Sequence, residues 1–368
     1  MTKLQTVLGL MSGTSLDGID VAAIETDGEG VIRSLGQFYA PYDDAARQLL
    51  QASLAAAQNA ALADWGDADS WPEAVRRADM LVNAAHIDAI SKFRAAHDLD
   101  FTLVGFHGQT VLHRPDAGIS VQIGDPQRLA SQIDCSVVGQ FRLADIANGG
   151  QGAPLAPLFH AARAQDQSGA LGVLNLGGVA NITLLAGSGK ICAFDTGPGN
   201  ALIDDWVRAK IGRTYDADGA LARKGHVDTE ALQRLLSHPF FERPPPKSLD
   251  RLAFDPAPVM ALSPEDGAAT LTAFTAAAVA RGVQIAGHTP ERLIVCGGGR
   301  HNLALMEALR AHVGVDVQNC DALGWAGDAL EAEAFAWLAV RHCRGLPTSV
   351  PETTGVSRPT VGGRKYDP

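Results

Sequence analysis

A pattern of apolar strand, small polar turn and apolar strand occurs twice in this chain, and it constrains the fold more than any other feature. It spans residues 6–25 (TVLGLMSGTSLDGIDVAAIE) and again residues 171–185 (LGVLNLGGVANITLL). Each copy is typical of two strands joined by a turn of glycine and short polar residues. Two copies predict two lobes built on a duplicated core. The match lies in pattern more than in identity, so the pattern alone leaves coincidence open as the alternative.

Strands alternate with helices along both halves of the chain, which predicts an α/β fold. The length of 368 residues also favours two domains or one large α/β domain. The tail beyond Leu346 lacks periodicity and is expected to pack as coil. Apolar periodicity predicts helices at 43–58, 71–97, from about Asn200, 267–286, 302–312 and 326–343, and strands at 101–106, 119–123, 136–139, 191–194, 292–296 and 315–318.

Charge and composition exclude several classes of protein. With 30 Lys and Arg against 41 Asp and Glu, a nucleic acid or an anionic membrane is not expected as the main partner. The five cysteines include no C-x-x-C pair, which favours a reducing compartment. The N-terminal apolar run is short and lacks a cleavage pattern, and the most apolar later stretch ends at Arg281. These features predict a cytoplasmic protein.

The first turn, residues 11–20 (MSGTSLDGID), carries the groups that bind phosphate and metal. Its backbone amides can hold phosphate oxygens, and the carboxylates of Asp17 and Asp20 can hold a metal directly or through water. Because Ser, Gly and Asp are also ordinary turn residues, a plain hairpin turn is the alternative.

Two further turns, 175–181 (NLGGVAN) and 194–200 (FDTGPGN), follow strand ends in the second half. Asp195 is expected at the end of a strand, in a cleft and partly desolvated, where a carboxylate becomes a usable general base. A helix cap or a turn aspartate is the alternative for this residue.

Three glycines, Gly297, Gly298 and Gly299, separate a predicted strand from a predicted helix. Such a run lets the backbone lie flat against a nucleoside, although close strand–helix packing selects glycine as well.

Two commoner nucleotide signatures are missing. Lys190 is followed by Ile191 rather than Ser or Thr, and GPGNAL ends in Leu202 where Gly or Ala is needed. A P-loop NTPase and a Rossmann dehydrogenase are therefore disfavoured.

Two polar clusters have the chemistry to bind a sugar derivative. His107 and Gln109 are expected just past a strand, and residues 141–157 include Arg142 and Asp145 among small turn residues. A structural histidine is the alternative for His107.

Glu331 lies early in the last long helix. A carboxylate there interacts favourably with the helix dipole, so its position is explained without any catalytic role.

Taken in order, these motifs resemble those of the anhydro-N-acetylmuramic acid kinases of bacteria, from Gly9 to about Gly362. The matching segments are MSGTSLDGID, HGQT, VQIGDP, FR with ADIANGGQGAPL, NLGGVANIT, FDTGPGN, VCGGGRHN and EAEAFAWLA. The resemblance implies a two-lobed actin-like ATPase (ribonuclease H-like) fold with an active-site cleft between the lobes. The expected lobes are residues 1–145, joined by part of the C-terminal tail, and residues 146–368.

The resemblance also implies the reaction. Water opens the anhydro bridge of the sugar and ATP phosphorylates the freed 6-oxygen, with Mg²⁺ present. Asp195 matches the catalytic base and Glu331 the acidic residue that positions the water, and Asp17 is assigned to the Mg²⁺ shell. The implied ATP-binding residues are Gly13, Thr14, Ser15, Leu16, Asp17, Gly18, Ile19, Asp20, Asn175, Gly177, Gly178, Asn181, Gly297, Gly298 and Gly299, and the implied sugar-binding residues are His107, Gln109, Arg142, Asp145, Gly197 and Asn200.

Some positions depart from the commonest wording of the family. Gln140 stands where Asp often precedes the FR pair, Leu143 and Ala144 replace further arginines, and the loop after Pro246 reads KSLDRLAF. These changes lie around the expected sugar end and leave the expected ATP-binding motifs intact. An actin-like or chaperone-like ATPase and an ordinary hexose kinase are the alternatives, and a homodimer is a family expectation.

Overall fold

Two mixed sheets, which share a core of five strands in the same order, organise the chain in the computed structural model. The structure describes residues 3–65, 68–250 and 253–368. The chain divides into unit 1, Met1–Gln165 with Ala329–Pro368, and unit 2, Asp166–Asp328. The division therefore lies later than the expected boundary after residue 145, and the last long helix belongs to unit 1. The physical reason is packing, since that helix lies against the strands of the unit 1 sheet.

Unit 1 contains a seven-stranded sheet with the order β12-β6-β4-β1-β2-β3, and β5 pairs with β4. The strands β1, β2 and β3 are antiparallel, whereas β4 runs parallel to β1 and β6 runs parallel to β4. The strands are β1 (Gln5–Ser12), β2 (Gly18–Thr26), β3 (Ile32–Pro41), β4 (Leu103–Arg114), β5 (Ile119–Ile123), β6 (Ser136–Gly139) and β12 (Arg364–Tyr366), and the helices are α1 (Asp44–Asn59), α2 (Glu73–Ala96), α3 (Pro126–Ile133), α4 (Leu143–Ala147), α5 (Pro157–Arg163), α10 (Leu330–Cys343) and α11 (Pro351–Thr354).

Unit 2 contains a five-stranded sheet with the order β11-β10-β7-β8-β9. Its first three strands are antiparallel, β10 runs parallel to β7, and β11 runs parallel to β10. The strands are β7 (Leu171–Leu176), β8 (Val179–Leu185), β9 (Ile191–Pro198), β10 (Arg292–Cys296) and β11 (Asp316–Asn319), and the helices are α6 (Ala201–Ile211), α7 (Thr229–Leu236), α8 (Pro264–Ala286) and α9 (Leu303–Val313).

The two sheets repeat one topology, because three antiparallel strands are followed in each by two strands parallel to the first. Strands β1 and β2 hold the first copy of the sequence pattern, and β7 and β8 hold the second. The predicted α/β class and the predicted duplicated core are thereby confirmed. The likeness of pattern reflects a likeness of fold, and the turn between the first two strands recurs at the same place in each unit.

Several sequence expectations were wrong in detail. Strand β3 was not among the predicted strands; it lies at the edge of the sheet, and all of its residues are exposed or half-buried. Strand β4 continues to Arg114 because β5 pairs with its second half, so His107 and Gln109 lie within the strand and not past it. The tail is not simply coil, since it forms α11 and β12, and β12 pairs with β6.

One helix in the described part of the chain, α8, is long and apolar enough to cross a membrane. Its most apolar window is 78% buried within the structure. Buried residues occur on all sides of it, including Phe274 and Val279, which belong to two different core clusters of unit 2. The helix is therefore accounted for as the central helix of unit 2.

Helix α10 approaches the sheet of unit 1 at two glycines, where its backbone touches the strands. A Cβ atom on Gly9 of β1 would lie 1.8 Å from the carbonyl oxygen of Ala332, and one on Gly105 of β4 would lie 2.0 Å from that of Phe335. Real atoms do not approach so closely, so any side chain at these positions must push the helix away. The helix carries Glu331, and the two glycines therefore determine where that carboxylate lies in unit 1.

We expect Gly9→Ala to destabilise the protein by about 3 kcal/mol, because the added methyl group meets helix backbone that cannot rotate away. Gly187→Ala is the matched control, since a Cβ atom there meets nothing within 4 Å. Its effect should stay within about 0.5 kcal/mol. The measurement is urea unfolding of both variants and the parent protein. Equal midpoints for the two variants would contradict the close approach.

Candidate functional site

The first turn connects β1 to β2 and is closed by hydrogen bonds of its own. The N–H of Leu16, whose φ is +58°, donates to the carbonyl of Gly13 at 3.2 Å. The hydroxyl of Ser15 donates to Oδ1 of Asp17 at 2.5 Å. Asp17 is exposed and Asp20 is half-buried. The turn therefore presents a carboxylate and short polar side chains outward, as a phosphate or metal site requires.

A buried hydrogen-bond network supports this turn from below. The hydroxyl of Ser12, the last residue of β1, donates to the amide oxygen of Gln109 at 2.6 Å and lies 3.0 Å from the hydroxyl of Tyr42. The N–H of Tyr42 donates to the carbonyl of Asp17 at 2.9 Å. Gln109, which the sequence assigns to the sugar, is only 1% exposed, and its amide oxygen contacts the first turn at Ser12. Tyr42 was not singled out, because no local motif marks it.

The carboxylates of the first turn create a shared negative potential. Burial raises the pKa of the Tyr39 hydroxyl well above its usual value, and the charges of Asp17 and Asp20 raise it further. Both carboxylates therefore lie close enough to Tyr39 of β3 to raise the pKa of its hydroxyl. Within the described ranges there is no group of three or more metal-ligating side chains. Mg²⁺ bound to nucleotide needs only one or two carboxylates besides the phosphates, so Asp17 and Asp20 fit such an ion.

His107 and Arg142 hold a glycine-rich loop in unit 1. Nδ1 of His107 lies 2.7 Å from the carbonyl of Gly108, and Nε2 lies 2.8 Å from a guanidinium nitrogen of Arg142. These partners require a neutral ring with its proton on Nδ1. Burial lowers the pKa of His107 well below its usual value, and the charge of Arg142 lowers it further. The guanidinium also donates to the carbonyl of Gly152 at 2.7 Å.

Asp145 holds the same loop from its other side. It is fully buried, and its Oδ1 accepts from the N–H of Gly152 at 2.7 Å while its Oδ2 accepts from the hydroxyl of Thr354 at 2.6 Å. Arg142 and Asp145 thus bind the carbonyl and the N–H of one residue. The structure assigns these two side chains to the support of residues 149–152, a contact that their sequence spacing did not reveal.

In unit 2, three predicted site residues lie side by side across the sheet. Asn175 of β7 pairs with Asn181 of β8, which pairs with Asp195 of β9. Residues directly opposite one another in a sheet point to the same face. Strand β9 continues to Pro198, so Asp195 and Gly197 lie inside the strand and not at its end. Asp195 is 6% exposed, and its backbone belongs to the sheet, so it is not a helix cap.

The segment that follows the proline-rich loop fixes the orientation of Asp195. The N–H of Asp195 donates to the carbonyl of Lys247 at 2.9 Å, and the N–H of Leu249 donates to Oδ2 of Asp195 at 2.7 Å. An N–H donor favours the ionised form of a carboxylate. Residues Arg251 and Leu252 of the same loop lie outside the described residues. Lys247 and Leu249 were not assigned to the site, because their contacts join segments about fifty residues apart.

The second and third turns are bonded to each other within unit 2. The N–H of Asn200 donates to the carbonyl of Gly177 at 2.8 Å, and its side-chain amide donates to the carbonyl of Leu176 at 3.1 Å. The N–H of Gly199 donates to the carbonyl of Gly178 at 3.0 Å. Asn200 therefore acts on the turn that the sequence assigns to phosphate.

The glycine triplet has one residue open to its surroundings and two that are packed. A Cβ atom on Gly297 would lie 2.4 Å from the side chain of Asn175, and one on Gly299 would lie 2.6 Å from Leu176, whereas one on Gly298 would meet nothing within 4 Å. Two of the glycines therefore serve close packing, and Gly298 has the open space that a nucleoside would need.

An arginine missed by the motif analysis anchors the triplet. Arg300 is 5% exposed, donates to the carbonyl of Gly297 at 3.1 Å and forms a two-pronged ion pair with Asp328. The N–H of Gly297 donates to the carbonyl of Gly327. The segment before α10 therefore holds the glycine triplet in place. Glu331, the second residue of α10, is half-buried and belongs to unit 1.

Solved structures with a similar course of the chain are distant in sequence. Component A of (R)-2-hydroxyglutaryl-CoA dehydratase from Acidaminococcus fermentans is 9% identical, with a TM-score of 0.46 over 92% of this chain and 99% of that one. A ROK family glucokinase from Streptomyces griseus, in complex with glucose and AMPPNP, is 15% identical, with a TM-score of 0.41 over 91% and 99%.

Sequence comparison identifies much nearer relatives. The family model for anhydro-N-acetylmuramic acid kinase matches residues 5–368. A protein of that name from Methylobacterium nodulans is 50% identical over 97% of this chain and 98% of its own length, and one from Acidiphilium cryptum is 51% identical over 98% of each. The chain therefore belongs to the anhydro-N-acetylmuramic acid kinase family.

Proposed function

We propose that this kinase opens 1,6-anhydro-N-acetylmuramic acid with water and transfers the γ-phosphoryl group of ATP to O6, giving N-acetylmuramic acid 6-phosphate and ADP, in peptidoglycan recycling. Membership in a kinase family supports the phosphotransferase reaction and the use of ATP and a sugar. The hydrolytic step is supported by one observation above all. Asp195 is a buried carboxylate whose orientation is set by the N–H of Leu249.

A fixed carboxylate in such a position suits the activation of water. Asp195 takes a proton as the water oxygen bonds to the anomeric carbon, and the bond from that carbon to O6 breaks. The departing O6 then bonds to the γ-phosphorus as ADP leaves, and the proton on Asp195 passes to solvent. Because the phosphoryl group takes up the charge on O6, the scheme needs no separate general acid. Glu331 is proposed to orient the water.

The proposed ATP contacts are backbone amides at the two turns and the open face of Gly298. Amides at residues 13–18 and at Gly177 and Gly178 would bind phosphate oxygens. When bound, Mg²⁺ supplies charge neutralisation at the phosphates, and Asp17 is proposed to hold it, with Asp20 close by. Tyr42, Ser12 and Gln109 would keep the first turn in shape through their buried hydrogen bonds.

The sugar contacts are proposed to come from the loop at residues 149–152 and from the third turn. His107, Arg142 and Asp145 would act by holding the loop, since their polar atoms already contact it or each other. Gly197 and Asn200 would act at the third turn. We further propose that the protein is a cytoplasmic homodimer that contacts neither nucleic acid nor membrane. The five free cysteines support a reducing compartment, the net charge of −11 argues against an anionic partner, and the homodimer is the expectation for the family.

Substrate choice separates this function from its two alternatives. With ATP and Mg²⁺, we expect ADP release to require the sugar and to be at least about 10³-fold faster with the anhydro sugar than with ring-opened N-acetylmuramic acid, because the base activates water at a bridged anomeric carbon. A coupled ADP assay with each sugar measures this. Equal rates would identify an ordinary hexose kinase. Full ADP release without sugar would identify an actin-like or chaperone-like ATPase.

Asp195→Asn should lower turnover by about 10³-fold or more with little change in ATP affinity, because the amide cannot take a proton but can still accept from Leu249. Turnover and nucleotide binding are measured separately. Asp216→Asn is the matched control, since Asp216 is also buried in unit 2 and accepts from the N–H groups of Leu221 and Ala222. An Asp195→Asn variant with parental turnover would remove Asp195 from its proposed role.

Glu331→Ala should lower turnover by about 10-fold to 100-fold, less than Asp195→Asn, because orienting water contributes less than taking its proton. Glu73→Ala is the control for a helix-dipole role, since Glu73 also lies in the first turn of a helix in unit 1. Steady-state kinetics of both variants decide the matter. A raised KM with unchanged turnover in Glu331→Ala would argue against the orienting role.

A further inference from the structure

Lys247 is a buried amine that the proposed reaction does not yet use. Only 1% of it is exposed, its Nζ donates to the carbonyl of Phe240 at 3.0 Å, and Nζ lies 4.3 Å from the centre of the Phe240 ring. Burying an ammonium group costs free energy that these contacts only partly return. Because this cost is not fully offset, packing alone does not account for the Lys247 side chain.

The backbone of Lys247 is in direct contact with Asp195. Its carbonyl accepts from the N–H of Asp195, and two residues later Leu249 donates to the carboxylate. The side chain of Lys247 is anchored at Phe240, which packs against Phe241 and Phe254 in an aromatic cluster of unit 2. The contact between the Lys247 side chain and Phe240 therefore fixes the segment 247–249. That segment in turn fixes the carboxylate of Asp195 through the N–H of Leu249.

The charges around Lys247 act in opposite directions. Burial lowers the pKa of its ammonium group to about 8, and the charges of Arg243 and Arg281 contribute, while the charge of Asp195 raises it. Lys247 is therefore charged at neutral pH and loses its charge as the pH passes 8. The attraction between Lys247 and Asp195 also acts on Asp195, where it favours the ionised carboxylate.

We propose that Lys247 is a positioning residue for Asp195, which it orients through the segment 247–249 and keeps ionised through its charge. This inference rests on the proposed role of Asp195 as the base. Lys247 touches neither sugar nor ATP in this scheme. Its loss should therefore change the pH dependence and turnover of the sugar reaction and leave nucleotide binding alone.

Two variants separate the anchor from the charge. Lys247→Gln removes the charge but keeps an N–H donor for the carbonyl of Phe240, so the acid limb of the profile of kcat/KM against pH should move up by roughly one pH unit. Its turnover on the plateau should fall less than 10-fold. Lys247→Met removes both, so the same shift should come with a loss of turnover of about 100-fold. ATP affinity should be unchanged in both.

Lys210→Met is the matched control, because Lys210 also lies in unit 2, donates to a backbone carbonyl, that of Met260 at 3.0 Å, and lies over an aromatic ring, that of Trp206. Its pH profile should match that of the parent protein. Thermal unfolding shows whether each variant is folded, and Lys247→Gln decides the matter if Lys247→Met is not. A folded Lys247→Gln protein with the parental acid limb would overturn the proposal.

The failure of this inference and that of the proposed function give different results. If Asp195→Asn abolishes turnover and Lys247→Gln leaves the acid limb in place, the base stands and the positioning role of Lys247 is wrong. If Asp195→Asn keeps parental turnover, the proposed function fails first, whatever the lysine variants do.

Discussion

Two hydrogen bonds between Asp195 and residues 247–249 are the interaction on which the proposed chemistry of this enzyme depends. A carboxylate in a strand could turn either oxygen toward a substrate, but here one oxygen accepts from a backbone N–H and the residue's own N–H is held as well. Such fixed geometry suits the base that we propose Asp195 to be, because reacting atoms must be held close and aligned before a proton moves. The neighbouring asparagines of the sheet complete that surface.

The duplicated topology explains how one fold supplies different chemistry in each unit. Both units join their first two strands by a short turn, yet one turn carries carboxylates and hydroxyls and the other carries glycines bonded to Asn200. Polar side chains support each turn: Ser12, Tyr42 and Gln109 form a buried network in unit 1, and the half-buried Asn200 donates to the carbonyl of Leu176 in unit 2. The scaffold was duplicated, and the side chains around each turn differ.

Much of the fold could be predicted because the signals are local. The hairpins β1–β2 and β7–β8 follow from alternating apolar residues around Gly-rich turns, and the helices follow from their period. Strand β3 was not predicted because an edge strand without a buried face shows no clear alternation of apolar and polar residues, and β12 was not predicted because three residues give no period. The contacts of Lys247, Arg300 and Tyr42 escaped because they join segments far apart in the chain, which only the packed structure brings together. The catalytic roles of Asp195 and Glu331 stay predictions.

The fate of the water oxygen tests the central claim most directly. The enzyme is given anhydro-N-acetylmuramic acid, ATP and Mg²⁺ in ¹⁸O-enriched water for a few turnovers, with N-acetylmuramic acid 6-phosphate in the same water as the control for spontaneous exchange. The account predicts one ¹⁸O at the anomeric carbon of the product and none in its phosphate. Label in the phosphate, or a product without label at the anomeric carbon, would contradict it.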